Sequence, residues 1–246
     1  MSVILNIETS TTVCSVAVSE SGKCLFLKTS DMANSHSKML SQFVKECLEF
    51  LSANGKTLNA VAVSAGPGSY TGLRIGVSMA KGLCFGLNIP LIAVDTLAVL
   101  NAASPPALSK GEGAACASNS STLEELEGVK VPMLDARRME VYDAVFDAQG
   151  NKIRETSADV IDENSFAELL ENHIVYFFGD GAEKCKTTIT HPNARFIDNV
   201  AVSAENMISL AEKSFAENQF KDAAYFEPFY LKEFVATTPK NNVLMN

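Results

Sequence analysis

Gly66-Pro67-Gly68-Ser69-Tyr70-Thr71-Gly72 follows an apolar run and opens directly into a helical pattern. Proline fixes φ at its own position, and the flanking glycines permit backbone shapes closed to other residues. A helix behind such a turn points free N–H groups and a partial positive charge at it. That is the chemistry of an anion cradle. The same residues also suit a tight strand-to-helix turn with no ligand, and both readings stay open. No G-x-x-x-x-G-K-[ST] runs through the stretch, and Thr71 stands where a dinucleotide fingerprint has its third glycine. The turn holds no lysine, and Arg74 lies one turn inside the helix.

Two further places carry polar groups at strand ends. Glu8-Thr9-Ser10 closes the first apolar run, where a carboxylate and two hydroxyls suit either a metal-bound phosphate or a hydrogen-bonded turn. Gly179-Asp180-Gly181 forms a second glycine turn, whose central carboxylate would repel a phosphate and favours a turn with a helix cap. His36, His173 and His191 make no i, i+4 pair, and no cysteine or carboxylate stands at ligand spacing, so no metal site is expected. No G-x-S-x-G elbow appears. Gly72, Gly76 and Ala80 lie at i, i+4, i+8, a small-residue ridge that suits close packing, more commonly against the chain's own sheet and otherwise against a partner's helix.

The elements that hold these residues alternate between strand and helix. Val3–Ile7 reads as a buried strand, and Val13–Ser19 with Cys24–Thr29 as a hairpin. A helix from Ser35-His36 to about Asn54 carries Met39, Leu40, Phe43, Val44, Cys47, Leu48 and Leu51 on one stripe. Ala60–Ser64 is a strand, and Thr71–Gly86 is a helix apolar on most sides, hence buried on more than one face. Leu91–Val94 is a short strand, with Asp95 capping the helix after it. The stretch 103–130, rich in Pro, Ser and Gly, reads as a connection between an N-terminal lobe, 1–102, and a C-terminal lobe, 131–246. Within it, Ser121 and Glu124 have capping-box spacing. Strands are expected at Val131–Leu134, Val141–Asp147, Ile153–Thr156 and Ile174–Phe178, and helices at Glu163–Glu171, after the Gly179 turn, and at Ser203–Asn218. Both halves run from an acidic residue at a strand end through an alternating strand and a glycine turn to a return strand ending in Thr-Ser. This suggests a duplicated unit, two α/β lobes facing one cleft.

The 246 residues are 47% apolar, enough for a substantial core. The six cysteines form no C-x-x-C pair, which suits reduced thiols in the cytoplasm. The opening Met-Ser-Val-Ile-Leu-Asn-Ile-Glu lacks a basic leader and reads as a strand, and no window approaches the roughly eighteen apolar residues of a membrane span. A net charge of −9 argues against holding nucleic acid alone and favours a protein partner.

The segments ILNIETSTTVCSVAV, SHSKML, AGPGSYTGLRIGVSMAKGL, VDTLAVL, DARRMEVYDAVF, GDGA and EPFYL together resemble the bacterial TsaB (YeaZ) family over most of the chain. The resemblance implies an α/β fold of the actin-like, sugar-kinase-like ATPase (ASKHA) superfold, with two duplicated lobes, each a mixed sheet with flanking helices. It implies a role in making threonylcarbamoyladenosine in tRNA as a non-catalytic scaffold. The paralogous transferase TsaD and the small ATPase TsaE are the implied partners. A homodimer is implied when TsaD is absent, and tRNA is reached only through the complex. No cofactor is expected on this chain alone, with ATP and metal held by the partners. Glu8, Thr9, Ser10, Gly66, Pro67, Gly68, Ser69, Gly179, Asp180 and Gly181 then become degenerate nucleotide-type loops. The partner face falls on His36, Met39, Leu40, Phe43, Cys47, Tyr70, Gly72, Arg74, Ile75, Gly76, Met79 and Ala80. An active ATPase or phosphotransferase of the same superfold is the alternative, and a metallo-glycopeptidase a more distant one. The stretch "AVDTLAVLNAAS" contains no H-x-x-x-H pair of the kind the paralogue uses to hold a metal.

Overall fold

The computed structural model of the chain describes residues 2–31, 36–103 and 128–232. The connection expected at 103–130 and the capped turn inside it lie outside the described residues, apart from their ends. The N-terminal half orders β1 (Val3–Glu8), β2 (Cys14–Glu20), β3 (Lys23–Ser30), α1 (His36–Ala53), β4 (Ala60–Gly66), α2 (Tyr70–Leu87), β5 (Leu91–Asp95) and α3 (Thr96–Asn101). The C-terminal half orders β6 (Val129–Asp135), β7 (Glu140–Phe146), β8 (Lys152–Val160), α4 (Ala167–Asn172), β9 (Val175–Phe178), β10 (Ala194–Ile197) and α5 (Ile208–Ala216).

Each half builds a five-stranded mixed sheet, in the orders β3-β2-β1-β4-β5 and β10-β9-β6-β7-β8. Read from its other edge, the second order matches the first, β6 standing for β1 and β9 for β4. The pairings match too. Strands β1, β2 and β3 are antiparallel neighbours, as are β6, β7 and β8. Strand β4 runs parallel to β1 and β5, as β9 does to β6 and β10. This is the duplicated α/β architecture of the actin-like (ASKHA) superfold.

The halves differ in their helices. Between the third and fourth strands the first half has the 18-residue α1 and the second the six-residue α4. Between the fourth and fifth strands the first half has the 18-residue α2, whereas the second has only a 3₁₀ turn at Glu183–Cys185. The helix expected after the Gly179 turn is therefore absent, and those expected at Glu163–Glu171 and Ser203–Asn218 are shorter. Phe166 before α4 adopts a left-handed conformation (φ 63°), which stops the helix from extending toward Glu163. Strand β10 had no clear period in the sequence. Asp95 caps α3 as expected, its carboxylate accepting from the Ala98 N–H at 2.8 Å.

Three apolar layers position the rest. Leu97, Val99 and Leu100 of α3 and Ala211 of α5 are buried between the two sheets, against Ile4, Ala62 and Ile92 of one and Leu134, Phe146 and Phe178 of the other. The outer face of the first sheet packs on α1 and α2 through Leu5, Val61, Leu40, Phe43, Cys47, Val77 and Ala80. The outer face of the second packs on α4 and the 3₁₀ turn. Burial pushes the Cys14 and Cys84 thiols up to about 11 and Cys47 up to about 12, so these are inert core groups. No helix among the described residues is long and apolar enough to cross a membrane.

The second sheet also buries a charge. Asp143 of β7 is fully enclosed and accepts from the Arg154 guanidinium of β8, which also meets Asp159 at 3.1 Å. Burial pushes the Asp143 carboxyl up to about 7, against the opposing pull of Arg154. The folded chain then holds a proton that the unfolded chain has released, so this stabilisation is present at low pH and is lost as pH rises toward and through 7. Asp143→Asn keeps an acceptor for Arg154 but cannot ionise. Urea titrations at pH 5 and pH 8 are expected to show the native chain losing more stability than the variant, by up to about 3 kcal/mol.

Candidate functional site

The strand end and the glycine turn, expected as degenerate nucleotide-type loops, do meet, and they fill one another. Glu8, Thr9 and Ser10 are 0–1% exposed. The Glu8 carboxylate accepts from the Ser10 N–H at 2.7 Å and, closely, from the hydroxyl of Ser64 on the neighbouring strand β4. Burial raises the Glu8 carboxyl above its ordinary range, with the Ser10 and Ser64 hydroxyls pulling the other way. Strand β4 then ends at Gly66 with φ 107°, a conformation that needs glycine, followed by a cis bond to Pro67. Ser69 caps α2: its hydroxyl accepts from the Gly72 N–H at 3.2 Å. Its own N–H donates to the Ser10 carbonyl at 2.6 Å. Thr9 Oγ1 donates to the Gly72 carbonyl at 2.8 Å.

The glycines are needed for this closeness. A Cβ on Gly68 would overlap the backbone of Ser10, one on Gly72 the carbonyl of Thr9, and one on Gly76 the hydroxyl of Thr9. A Cβ on Gly66 would strike the carbonyl of Phe229, which the C-terminal segment lays over the turn. The ridge of Gly72, Gly76 and Ala80, expected on a partner face, is therefore buried against the chain's own first strand and sheet. Leu40, Phe43 and Cys47, expected on the same face, are core residues under α1, 0–6% exposed. Their apolar stripe was the inner stripe of the helix.

The second glycine turn repeats the construction. Gly179 packs on the Met133 carbonyl and Gly181 on the backbone of Leu134 and Asp135, where β6 ends as β1 ends at Glu8. Asp180 does not cap a helix: its carboxylate accepts from the Asp135 N–H at 3.0 Å and so ties the two strand ends. Asp135 in turn pairs with Lys184. Among the described residues, no group of three His, Cys, Asp or Glu side chains is placed to hold a metal ion.

What remains open is the outer face of the α1–α2 layer. A groove of about 730 Å³ runs along α2, lined by Tyr70, Arg74, Ile75, Ser78, Met79 and Leu83 among others. A shallower hollow of about 430 Å³ adjoins it between α1 and α2, reaching Met79 from Val44 and Leu48. Arg74 donates to the Tyr70 hydroxyl at 2.9 Å and lies over its ring at 5.4 Å, which holds both side chains at one end of the groove. Of the predicted face, Tyr70, Arg74, Ile75 and Met79 line this groove. Met39 packs against the core edge, and His36 ties the start of α1 to the Thr11 carbonyl at 2.9 Å. Phe85, at 90% exposure, shows that α2 is not buried all round. Sequence reasoning missed Ser78 and Leu83. The row Arg74, Ser78, Gly82 has the same four-residue spacing as the glycine ridge, so a comparison of stripes would have found it. It also missed Ser64, Phe229 and Tyr230, for which no local pattern exists.

The sequence model of the TsaD family, described as tRNA N6-adenosine threonylcarbamoyltransferase, matches residues 30–240. The protein of Haemophilus influenzae called tRNA threonylcarbamoyladenosine biosynthesis protein TsaB is 27% identical over 244 residues, 94% of each chain. Its Escherichia coli namesake is 28% identical over 240 residues, covering 95% of this chain and 96% of its own. A solved structure from Pseudomonas aeruginosa, described as an uncharacterized protein with similarity to peptidase YeaZ, superposes with a TM-score of 0.73 at 26% identity. It is matched over 94% of this chain and 100% of its own.

The two kinds of glycine on α2 make a paired test. Gly72→Ala forces a methyl into the Thr9 carbonyl and is expected to cost about 2 kcal/mol or more. Gly86→Ala meets nothing within 4 Å and is expected to be neutral or to stabilise by up to about 1 kcal/mol. Thermal melts of the two variants beside the native chain read the difference.

Proposed function

The chain belongs to the TsaD family, in its TsaB (YeaZ) branch, and from that premise we propose that it serves the formation of threonylcarbamoyladenosine in tRNA as a non-catalytic partner of the TsaD transferase. One observation carries the non-catalytic reading: the glycine turn is spent on its own chain. A phosphate-binding turn must leave its N–H groups and the space over its glycines to the ligand. Here the Ser69 and Gly72 N–H groups already donate internally, and Ser10, Thr9 and Phe229 occupy the space over Gly68, Gly72 and Gly66. ATP and metal chemistry then fall to the partners, TsaD and TsaE.

The groove on α2 is the face we assign to TsaD. It is apolar along Ile75, Met79 and Leu83 and polar at the Tyr70–Arg74 end, which suits the packed face of another helical layer. A second copy of this chain takes the same face when TsaD is absent. The net charge of −9 supports tRNA being reached through the complex and not by this chain alone.

Reconstitution tests the reading. With TsaD, TsaE, threonylcarbamoyl-adenylate and tRNA present, omission of this chain is expected to abolish or strongly reduce modified tRNA. ATP turnover by the purified chain alone would instead favour an active phosphotransferase. Ser78 lines the groove and is exposed. Ser78→Arg is expected to leave the melting temperature within about 2 °C and to weaken association with TsaD by about tenfold or more, as read by calorimetric titration.

A further inference from the structure

Beyond α5 the chain turns back across the first half and ends its described course over the glycine turn. The Lys221 N–H donates to the Leu91 carbonyl on β5 at 2.8 Å. Lys81 of α2 reaches up to donate to the carbonyls of Ala224 and Phe226, each at 3.0 Å. The Phe229 N–H donates to the Ala65 carbonyl at 2.6 Å, while its own carbonyl covers Gly66. Lys232 then pairs with Glu140 of β7 in the other half. The segment is thus a strap with fixed points on both sheets.

One side chain links this strap to the groove. The Tyr230 ring packs against the Tyr70 ring with centroids 4.9 Å apart at 41°. Tyr70 and Arg74 form the polar end of the groove, whereas Tyr230 stands behind Tyr70 and is not among the groove's lining. Tyr70 is the first residue of α2 and is half-buried, with the Tyr230 ring against one side of its own. Arg74 is oriented by that ring in turn.

We propose that Tyr230 is a positioning residue for the groove: the seated strap holds Tyr70, and through it Arg74, in the arrangement that a docking partner meets. The proposal rests on the reading of the groove as the TsaD face and adds the device that regulates it. Strap seating and docking are then energetically coupled, and the coupling is reciprocal. A partner that favours the held arrangement must also tighten the strap. An aromatic pair of this kind shifts affinity by about three- to tenfold.

The experiment titrates the full chain with TsaD and follows amide exchange of the 225–232 stretch with and without it. Tyr230→Ala is expected to weaken binding about three- to tenfold and Tyr230→Phe to restore it. The double variant Tyr70→Ala/Tyr230→Ala is expected to bind no more weakly than Tyr70→Ala alone. Lys81→Met releases the strap without touching either tyrosine, and is expected to weaken binding in the same direction should Tyr230→Ala fold poorly. Exchange at Phe229 is expected to slow when TsaD binds. Native-like binding by Tyr230→Ala and Lys81→Met would overturn the coupling while leaving the groove as the docking face. Additive losses in the double variant would overturn it as well, since Tyr230 would then act independently of Tyr70. Failure of the native chain to bind TsaD at all would overturn the docking face and the coupling together.

Discussion

The close approach of the α2 backbone to the end of β1 sets the geometry of the N-terminal half. Gly68, Gly72 and Gly76 bring the turn and the first two turns of the helix against Ser10 and Thr9 with no side chain between them. The Thr9 hydroxyl and the Ser69 N–H lock the contact with hydrogen bonds at 2.8 and 2.6 Å. That single joint fixes where α2 lies on the sheet. It thereby decides which stripe of the helix faces the core and which is left for the groove. A larger residue in that row would lift α2 off the sheet and change both faces at once.

The same joint explains why a sequence that reads like a phosphate cradle does not keep one open. The requirements overlap: glycines for backbone approach, a hydroxyl cap, and a helix N-terminus. What differs is the occupant, and here it is the chain itself. Glu8 adds to the difference. Its buried carboxyl, raised above the ordinary range by burial and bonded to the Ser10 N–H and the Ser64 hydroxyl, stands where an anion site would need positive potential.

Much of the fold was legible in advance, for physical reasons that can be named. Strands β1 to β5 and helix α1 carry strong periods, α2 follows a glycine turn, and the duplication showed in the order of acid, hairpin and return strand. The C-terminal half was legible in its strands and less so in its helices. Around Glu163–Glu171 and after Gly179 helical periods exist, but Phe166 takes a left-handed backbone and Asp180 is drawn to the Asp135 N–H. The candidate surface was half legible. Residues on α1 and α2 were identified, yet amphipathic spacing cannot tell an inner stripe from an outer one when both are apolar. Leu40, Phe43, Cys47 and the Gly72 ridge fell on the inner side for that reason. The strap was not legible, because Phe229 and Tyr230 find their places through contacts more than 150 residues away in sequence.

The middle layer has a consequence of another kind. Leu97, Leu100 and Ala211 belong to helices that serve both sheets at once, so neither half owns a complete core. Lys152 reinforces this, reaching from β8 to Asp95, the residue that caps α3, at 2.9 Å. Two-lobed enzymes commonly work by swinging one lobe about a hinge and opening a wet cleft. Here such a swing would draw fully buried leucines into water, a cost that grows with every square ångström uncovered. The shared buried layer therefore opposes any swing of one duplicated half against the other, leaving the halves welded and not jointed.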